Sequence, residues 1–161
     1  MAERVVDLVI KTFFSERITG DCVSDRVLLG HHFSDYSEVK NFREQVSAKA
    51  DDKISKDYLH RLTDTYGPAA VEIINRAAAN GWSESTLLKS EIEYAVREEM
   101  VTGLEDFFIR RTGMMYFNPS KMMEILPQTQ QIFKDLFGWT DQDATNQSLS
   151  LMREFEKATR F

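Results

Sequence analysis

The 161-residue sequence has few of the residues that define several classes of protein. Its single cysteine, Cys22, excludes an intrachain disulfide and favours a reducing, cytoplasmic compartment. No segment approaches the roughly 20 apolar residues that cross a bilayer, and the first ten residues are too charged for a signal peptide. Basic residues number 20 against 26 acidic ones, and the net charge of −6 argues against nucleic-acid binding.

Motifs for cofactors and metals are also missing. The seven glycines form no G-x-G-x-x-G fingerprint and no phosphate loop, so no nucleotide site of its own is predicted. The three histidines form no H-E-x-x-H, and the glutamates lack the Glu-x-x-His spacing of di-iron bundles. His31 and His32 could bind a metal ion together with a distant acidic residue, as in a small helical metalloprotein. The favoured interpretation is that the two histidines are exposed on a loop.

Helical periodicity dominates what is present. Hydrophobic residues at 42% and charged residues at 29% are typical of a globular protein, and the apolar residues recur at helical spacing. The pattern predicts an all-α fold, an irregular bundle of about seven helices forming one domain over residues 1–161. Residues 1–53 would supply a first helix, a loop and a second helix, and residues 54–161 would form the helical core.

Local signals set the predicted helix boundaries. Ser, Thr, Asp and Asn are good N-caps, proline suits the first helical turn, and glycine suits the position after the last. Pro127 is expected to kink or restart the helix that contains it. The predicted starting signals are Asp35 with Glu38, Ser55, Pro68, Asn118 with Pro119, and Thr140 with Asp143.

Residues 90–112, SEIEYAVREEMVTGLEDFFIRRT, contain two apparent capping boxes. Ser90 stands three residues before Glu93, and Thr102 stands three residues before Glu105. Each spacing allows the first side chain to cap a helix while the second returns a hydrogen bond. The segment is therefore predicted to hold two helices joined at residues 101–103, where Gly103 disfavours a continuous helix.

The same segment concentrates opposite charges at helical spacing. Acids precede bases by four residues in two pairs, Glu93 with Arg97 and Asp106 with Arg110, an orientation worth a few tenths of a kcal/mol each. The adjacent Arg110 and Arg111 could hold a phosphate group. The favoured interpretation is that they are cations at a helix C-terminus, where their charge is stabilising. The candidate domain-docking or structural ion network comprises Glu93, Arg97, Glu99, Asp106, Arg110 and Arg111.

The order of residues is more specific than amphipathicity requires. It resembles the C-terminal domain of the FAD-dependent glycerol-3-phosphate dehydrogenases and alpha-glycerophosphate oxidases over at least residues 58–139. The first nine residues resemble the helix that follows the last cofactor-contacting loop of those flavoproteins, whereas residues 22–53 match loosely. The resemblance rests on YLHR at 58–61, YG at 66–67, EYAVREEM at 93–100, LEDF at 104–107, RRT at 110–112 and FGW at 137–139.

The resemblance implies that this domain has no catalytic chemistry of its own. In that family a larger N-terminal part binds FAD and oxidises glycerol 3-phosphate to dihydroxyacetone phosphate, so FAD is expected in the parent enzyme and no cofactor in this chain. The domain is expected to be inactive alone, to dock on the FAD and substrate domain or to support self-association, and to have a parent that is cytoplasmic or peripheral to the membrane. The alternative is a free-standing helical adaptor that binds another protein.

Overall fold

The computed structural model describes residues 2–16, 20–23, 26, 33–50 and 54–160. Over those residues it contains helices and no strand, which confirms the all-α prediction, with eight α-helices where about seven were expected. The described residues also contain a 3₁₀ turn at Gly67–Ala69 and a π-helical segment at Asp106–Arg111. The α-helices are α1 (Ala2–Phe13), α2 (Tyr36–Lys49), α3 (Lys56–Tyr66), α4 (Ala70–Ala79), α5 (Glu84–Glu99), α6 (Met114–Phe117), α7 (Pro119–Phe137) and α8 (Asp141–Thr159).

Two compact units divide the chain, Met1–Ser34 and Asp35–Phe161. In the first unit, α1 is strongly amphipathic, yet its apolar residues Leu8 and Phe13 are 64% and 73% exposed. His31, His32 and most of the predicted loop lie outside the described residues. The proposed division of one domain at residue 53 stays a prediction.

The second unit is built around α5. On one side of this helix an apolar cluster joins α2, α3 and α4, and on the other a larger cluster joins the π-helical segment, α6, α7 and α8. Leu87 belongs to the first cluster, whereas Leu88 and Ile92 belong to the second. Because α5 is packed on two sides, a charged residue on one of its buried faces must find a partner inside the protein.

Several predicted helix boundaries are confirmed. The side chains of Asp35, Asn118 and Thr140 each accept a hydrogen bond from the backbone N–H three residues later. Thr140 and Asp143 form a complete capping box. Gly138 ends α7 with a φ of 65°, a left-handed conformation that glycine adopts without strain.

The predicted start of α5 was wrong. Ser83 caps this helix in a box with Thr86, and Ser90 lies inside it with only 3% of its surface exposed. The helix begins at Glu84, about two turns earlier than predicted, because Leu87 and Leu88 are buried in the two apolar clusters. Ser55 precedes α3 as predicted, but its side chain makes no capping hydrogen bond.

Pro127 lies inside α7 and does not end it. Met122 precedes this proline and Phe133 follows it, and both are fully buried in the same apolar cluster. Packing of the two halves against one core therefore outweighs the hydrogen bond that proline removes. The predicted restart of the helix was therefore wrong, and the alternative of a kink at Pro127 stays a prediction.

The predicted break at residues 101–103 is present. Helix α5 ends at Glu99, Met100 adopts a left-handed φ of 57°, and helical structure resumes at Leu104. Gly103 allows a close approach, since a Cβ there would lie 2.5 Å from the side-chain oxygen of Gln147 and would displace that side chain. That oxygen accepts a hydrogen bond from the Leu104 backbone N–H at 3.3 Å.

Candidate functional site: a buried ion network and a charged surface

The six predicted site residues do not form one network. On α5, Glu93 lies 3.6 Å from Arg76 of α4 and 3.9 Å from Lys89, while Arg97 pairs with Glu72 of α4 and with its neighbour Glu98. The predicted Glu93 with Arg97 pair is thus replaced by contacts between two helices. These side chains are partly exposed, so each contact contributes little to stability.

The other predicted residues lie near the π-helical segment. Arg110 pairs with Asp106 as predicted, and Arg111 Nε lies 3.6 Å from a carboxylate oxygen of Glu99. A nitrogen of Arg111 also donates to the backbone carbonyl of Glu99 at 2.6 Å, which satisfies one of the free carbonyls at the end of α5. The side chains of Arg110 and Arg111 are 62% and 41% exposed, so a buried network at this place is excluded.

The second predicted capping box was wrong in its partner. Asp106, rather than Glu105, accepts hydrogen bonds from the Thr102 backbone N–H at 3.0 Å and from its hydroxyl at 2.5 Å. The hydrogen bond from the Thr102 side chain holds the pKa of Asp106 below its ordinary value, with Arg110 adding to the effect. The Asp106 carboxylate thus stabilises the chain at the point where helical structure resumes after the break.

Thr102→Ala is expected to lower the free energy of unfolding at pH 7 by about 1 kcal/mol, because the hydrogen bond from its hydroxyl to the Asp106 carboxylate is lost. A depressed carboxyl pKa stabilises the fold above its ordinary value of 3.8 and loses that effect as the pH falls through the lower folded-state value. Urea titrations of both proteins should therefore converge at low pH. An unchanged stability at pH 7 would contradict this role for Thr102.

The buried ion network lies elsewhere, around Glu91 in the middle of α5. Glu91 is fully buried, and Arg61 of α3 donates to its two oxygens at 2.7 and 2.6 Å. The hydroxyls of Tyr58 and Tyr66 donate to the same two oxygens at 3.0 and 3.2 Å. Each carboxylate oxygen therefore receives two hydrogen bonds, which is the arrangement that makes a buried charge tolerable.

Burial and charge act together on the groups of this network. Burial, followed by the negative charge of Glu91, raises the pKa of both Tyr58 and Tyr66. Burial alone would lower the pKa of Arg61, but the charge of Glu91 and its hydrogen bonds outweigh burial and raise it. Both tyrosines therefore stay neutral donors and Arg61 stays charged across the physiological range. The guanidinium also lies over the Tyr58 ring, 4.7 Å from its centroid.

Sequence reasoning did not single out this network. Glu91 is not among the six residues of the predicted ion network. A usable signal was present in α3, where Arg61 follows Tyr58 by three residues and Tyr66 follows it by eight, so that both lie near Tyr58 on one side of the helix. The first two of these residues belong to the YLHR run that carries the resemblance.

The arrangement is suited to structure rather than chemistry. The Glu91 carboxylate accepts four hydrogen bonds from Arg61, Tyr58 and Tyr66, which occupy its lone pairs and leave no room for a metal ion or a reacting proton. Throughout the described ranges, no group of three or more His, Cys, Asp or Glu side chains could hold a metal ion. Nor does any described helix combine the length and the apolar character needed to span a membrane.

The apolar segment that follows the π-helical segment is divided between core and surface. Met114, Met115 and Met122 are buried, whereas Tyr116 is 58% and Phe117 88% exposed. Fold and site together define an all-helical domain held by one buried ion network.

Comparison with known proteins identifies the family. The model of the C-terminal domain of alpha-glycerophosphate oxidase matches residues 22–144. The chain belongs to this family, and the resemblance inferred from its sequence is confirmed.

Similar proteins are considerably longer than this chain. Aerobic glycerol-3-phosphate dehydrogenases of Staphylococcus aureus strains USA300 and COL are 29% identical over 147 residues, which cover 87% of this chain and 26% of each relative. The crystal structure of glycerol-3-phosphate dehydrogenase from Bacillus halodurans complexed with FAD superposes with a TM-score of 0.72 at 26% identity. That match covers 96% of this chain and 32% of the other. The chain thus spans between a quarter and a third of the length of these proteins.

Proposed function

We propose that the chain is the non-catalytic C-terminal part of an FAD-dependent glycerol-3-phosphate oxidoreductase and docks on the flavin-containing part of that enzyme. The family match, and the B. halodurans relative that carries FAD, support this role. The chain's own residues do not fit the flavin, because its glycines form no dinucleotide-binding loop. FAD binding and the oxidation of glycerol 3-phosphate to dihydroxyacetone phosphate therefore belong to the other part of the parent enzyme. The parent enzyme would lie in the cytoplasm or at the periphery of the membrane.

The apolar face of α1 is the observation that most favours docking. Val5, Leu8 and Phe13 are 56%, 64% and 73% exposed, more apolar surface than a helix in water normally leaves uncovered. Helix α1 also precedes residues 22–144, which match the C-terminal family model. We infer that this face is covered by the part of the enzyme that comes before the helical domain.

The test is association with the separately produced flavin-containing part of the enzyme from the same source. The two proteins are expected to elute together from a sizing column, with flavin absorbance in the shared peak. Leu8→Glu should abolish co-elution because it places a charge in the covered face, whereas Lys11→Gln on the same helix serves as the matched control. Separate elution at high micromolar concentration would refute docking and favour the adaptor alternative. A shift of this chain alone would indicate self-association.

The exposed arginines at the end of the π-helical segment are a second candidate contact. Arg110→Gln and Arg111→Gln in the full-length enzyme are expected to lower the melting temperature of the assembled enzyme and to loosen the contact between its parts. The isolated helical domain should change much less, because both side chains are largely exposed there. Unchanged stability, oligomeric state and activity of the full-length variants would rule these residues out.

A further inference from the structure

A groove of about 330 Å³ runs beside the buried ion network, between the first turns of α3 and α5 and the first half of α7. Its apolar floor is formed by Leu88, Met114 and Ile125. Ser55, just before α3, and Tyr58 of α3 form one wall. The volume is within the range of small-ligand sites and is large enough for one long side chain with its adjoining backbone.

The two cations at this groove are already neutralised. Arg61 faces the groove, but both of its terminal nitrogens are bound to the carboxylate of Glu91 behind it. Lys121 lies 2.7 Å from Glu124 and 3.4 Å from Glu84, so it is shared between two carboxylates. An anionic ligand would therefore have to compete with existing ion pairs for both positive groups.

Acidic groups exceed basic ones around the groove. Asp57 adds a third carboxylate to Glu84 and Glu124 at the rim, against the single ammonium of Lys121. The Arg61 pair with Glu91 contributes no net charge, so the rim carries an excess of two negative charges. At a concave surface this excess favours a cation, because low-dielectric walls strengthen the local field.

We propose that this groove binds a lysine or arginine side chain presented by a peptide segment of a partner protein. The alkyl stem of that side chain would lie on Leu88, Met114 and Ile125, and its charged head would reach the rim carboxylates. Long basic side chains suit such a site because they combine an apolar stem with a cationic end. The inference goes beyond the proposed function and holds whether or not the flavin-containing part docks on this chain.

Removal of the Lys121 charge should strengthen the binding of a cation and weaken that of an anion, so the direction of the change in affinity distinguishes the two. The probe is the peptide acetyl-Gly-Leu-Lys-Leu-Gly-amide, titrated into the isotope-labelled 161-residue chain and followed by amide chemical shifts. Lys121→Gln frees Glu84 and Glu124 and is expected to tighten binding about two- to fivefold. Lys134→Gln removes a lysine of the same helix that pairs with the exposed Asp141 and does not line the groove; it is the matched control and should leave the affinity unchanged.

Two further probes test whether binding needs the positive charge of the lysine and whether it needs the flanking peptide. The same peptide with norleucine in place of lysine should bind at least fivefold more weakly, and the lysine peptide should lose affinity as salt rises. Putrescine should bind more weakly than the peptide, because it lacks the flanking apolar residues. The proposal is overturned if the norleucine peptide binds equally well, if a glutamate peptide binds better, if putrescine matches the lysine peptide, or if no groove amide shifts at millimolar peptide.

Discussion

Arg61→Met is expected to lower the free energy of unfolding by about 3–5 kcal/mol, measured by urea titration at pH 7. The substitution removes the only cation that contacts Glu91 among the described residues and leaves a fully buried carboxylate with two tyrosine hydroxyls. Domains of this size are stable by roughly 5–15 kcal/mol, so the loss is a large fraction of the whole. We expect partial unfolding at 37 °C.

Two variants separate loss of the pair from loss of the side chain. Arg61→Met combined with Glu91→Leu should recover part of the stability, because replacing both members of a buried pair leaves no uncompensated charge. Arg97→Gln is the control for removing an arginine, since its contacts with Glu72 and Glu98 are exposed, and it should shift the urea midpoint little. Equal effects of Arg61→Met and Arg97→Gln would contradict a structural role for the buried network.

Phe107→Ala is expected to cost about 3–5 kcal/mol, by the transfer of a buried ring and the cavity it leaves. Phe107 is fully buried in the π-helical segment, with its ring centroid 5.3 Å from that of Phe108 and 6.3 Å from that of Phe133. The cavity would open between this segment and α7. Urea titration and loss of near-ultraviolet circular dichroism measure the effect.

Phe117 provides the matched control. It is 88% exposed, only ten residues from Phe107, and Phe117→Ala should change stability by less than about 0.5 kcal/mol. If the two alanine variants were equally stable, the placement of Phe107 in the core would be wrong. The comparison also shows which part of the aromatic-rich stretch at residues 107–117 holds the domain together and which part remains free for contact.

Much of the fold followed from signals within a few residues of each helix end. Asp35, Asn118 and Thr140 accept backbone hydrogen bonds three residues ahead, and Gly138 takes the left-handed conformation that ends a helix. These interactions depend on local sequence alone, so their positions could be predicted without knowledge of the packing. The all-α fold and the family followed from the sequence as well.

Signals decided by tertiary packing were missed. Ser83 and Ser90 both precede a plausible capping partner by three residues, and only the burial of the intervening leucines shows that the helix starts at the first. The ion network depends on α3 and α5 meeting at Glu91, a contact across 30 residues of sequence that periodicity does not reveal. The groove was missed for the same reason.

We propose that the helical domain supports a flavin enzyme without taking part in its chemistry. The most direct test measures flavin reduction by glycerol 3-phosphate in the flavin-containing part alone, in the chain alone, and in their mixture. We predict that the flavin-containing part is reduced without the chain, that the chain alone shows no turnover, and that the mixture melts at a higher temperature. Reduction that requires the chain at saturating flavin and substrate would contradict the account and assign the domain a catalytic part.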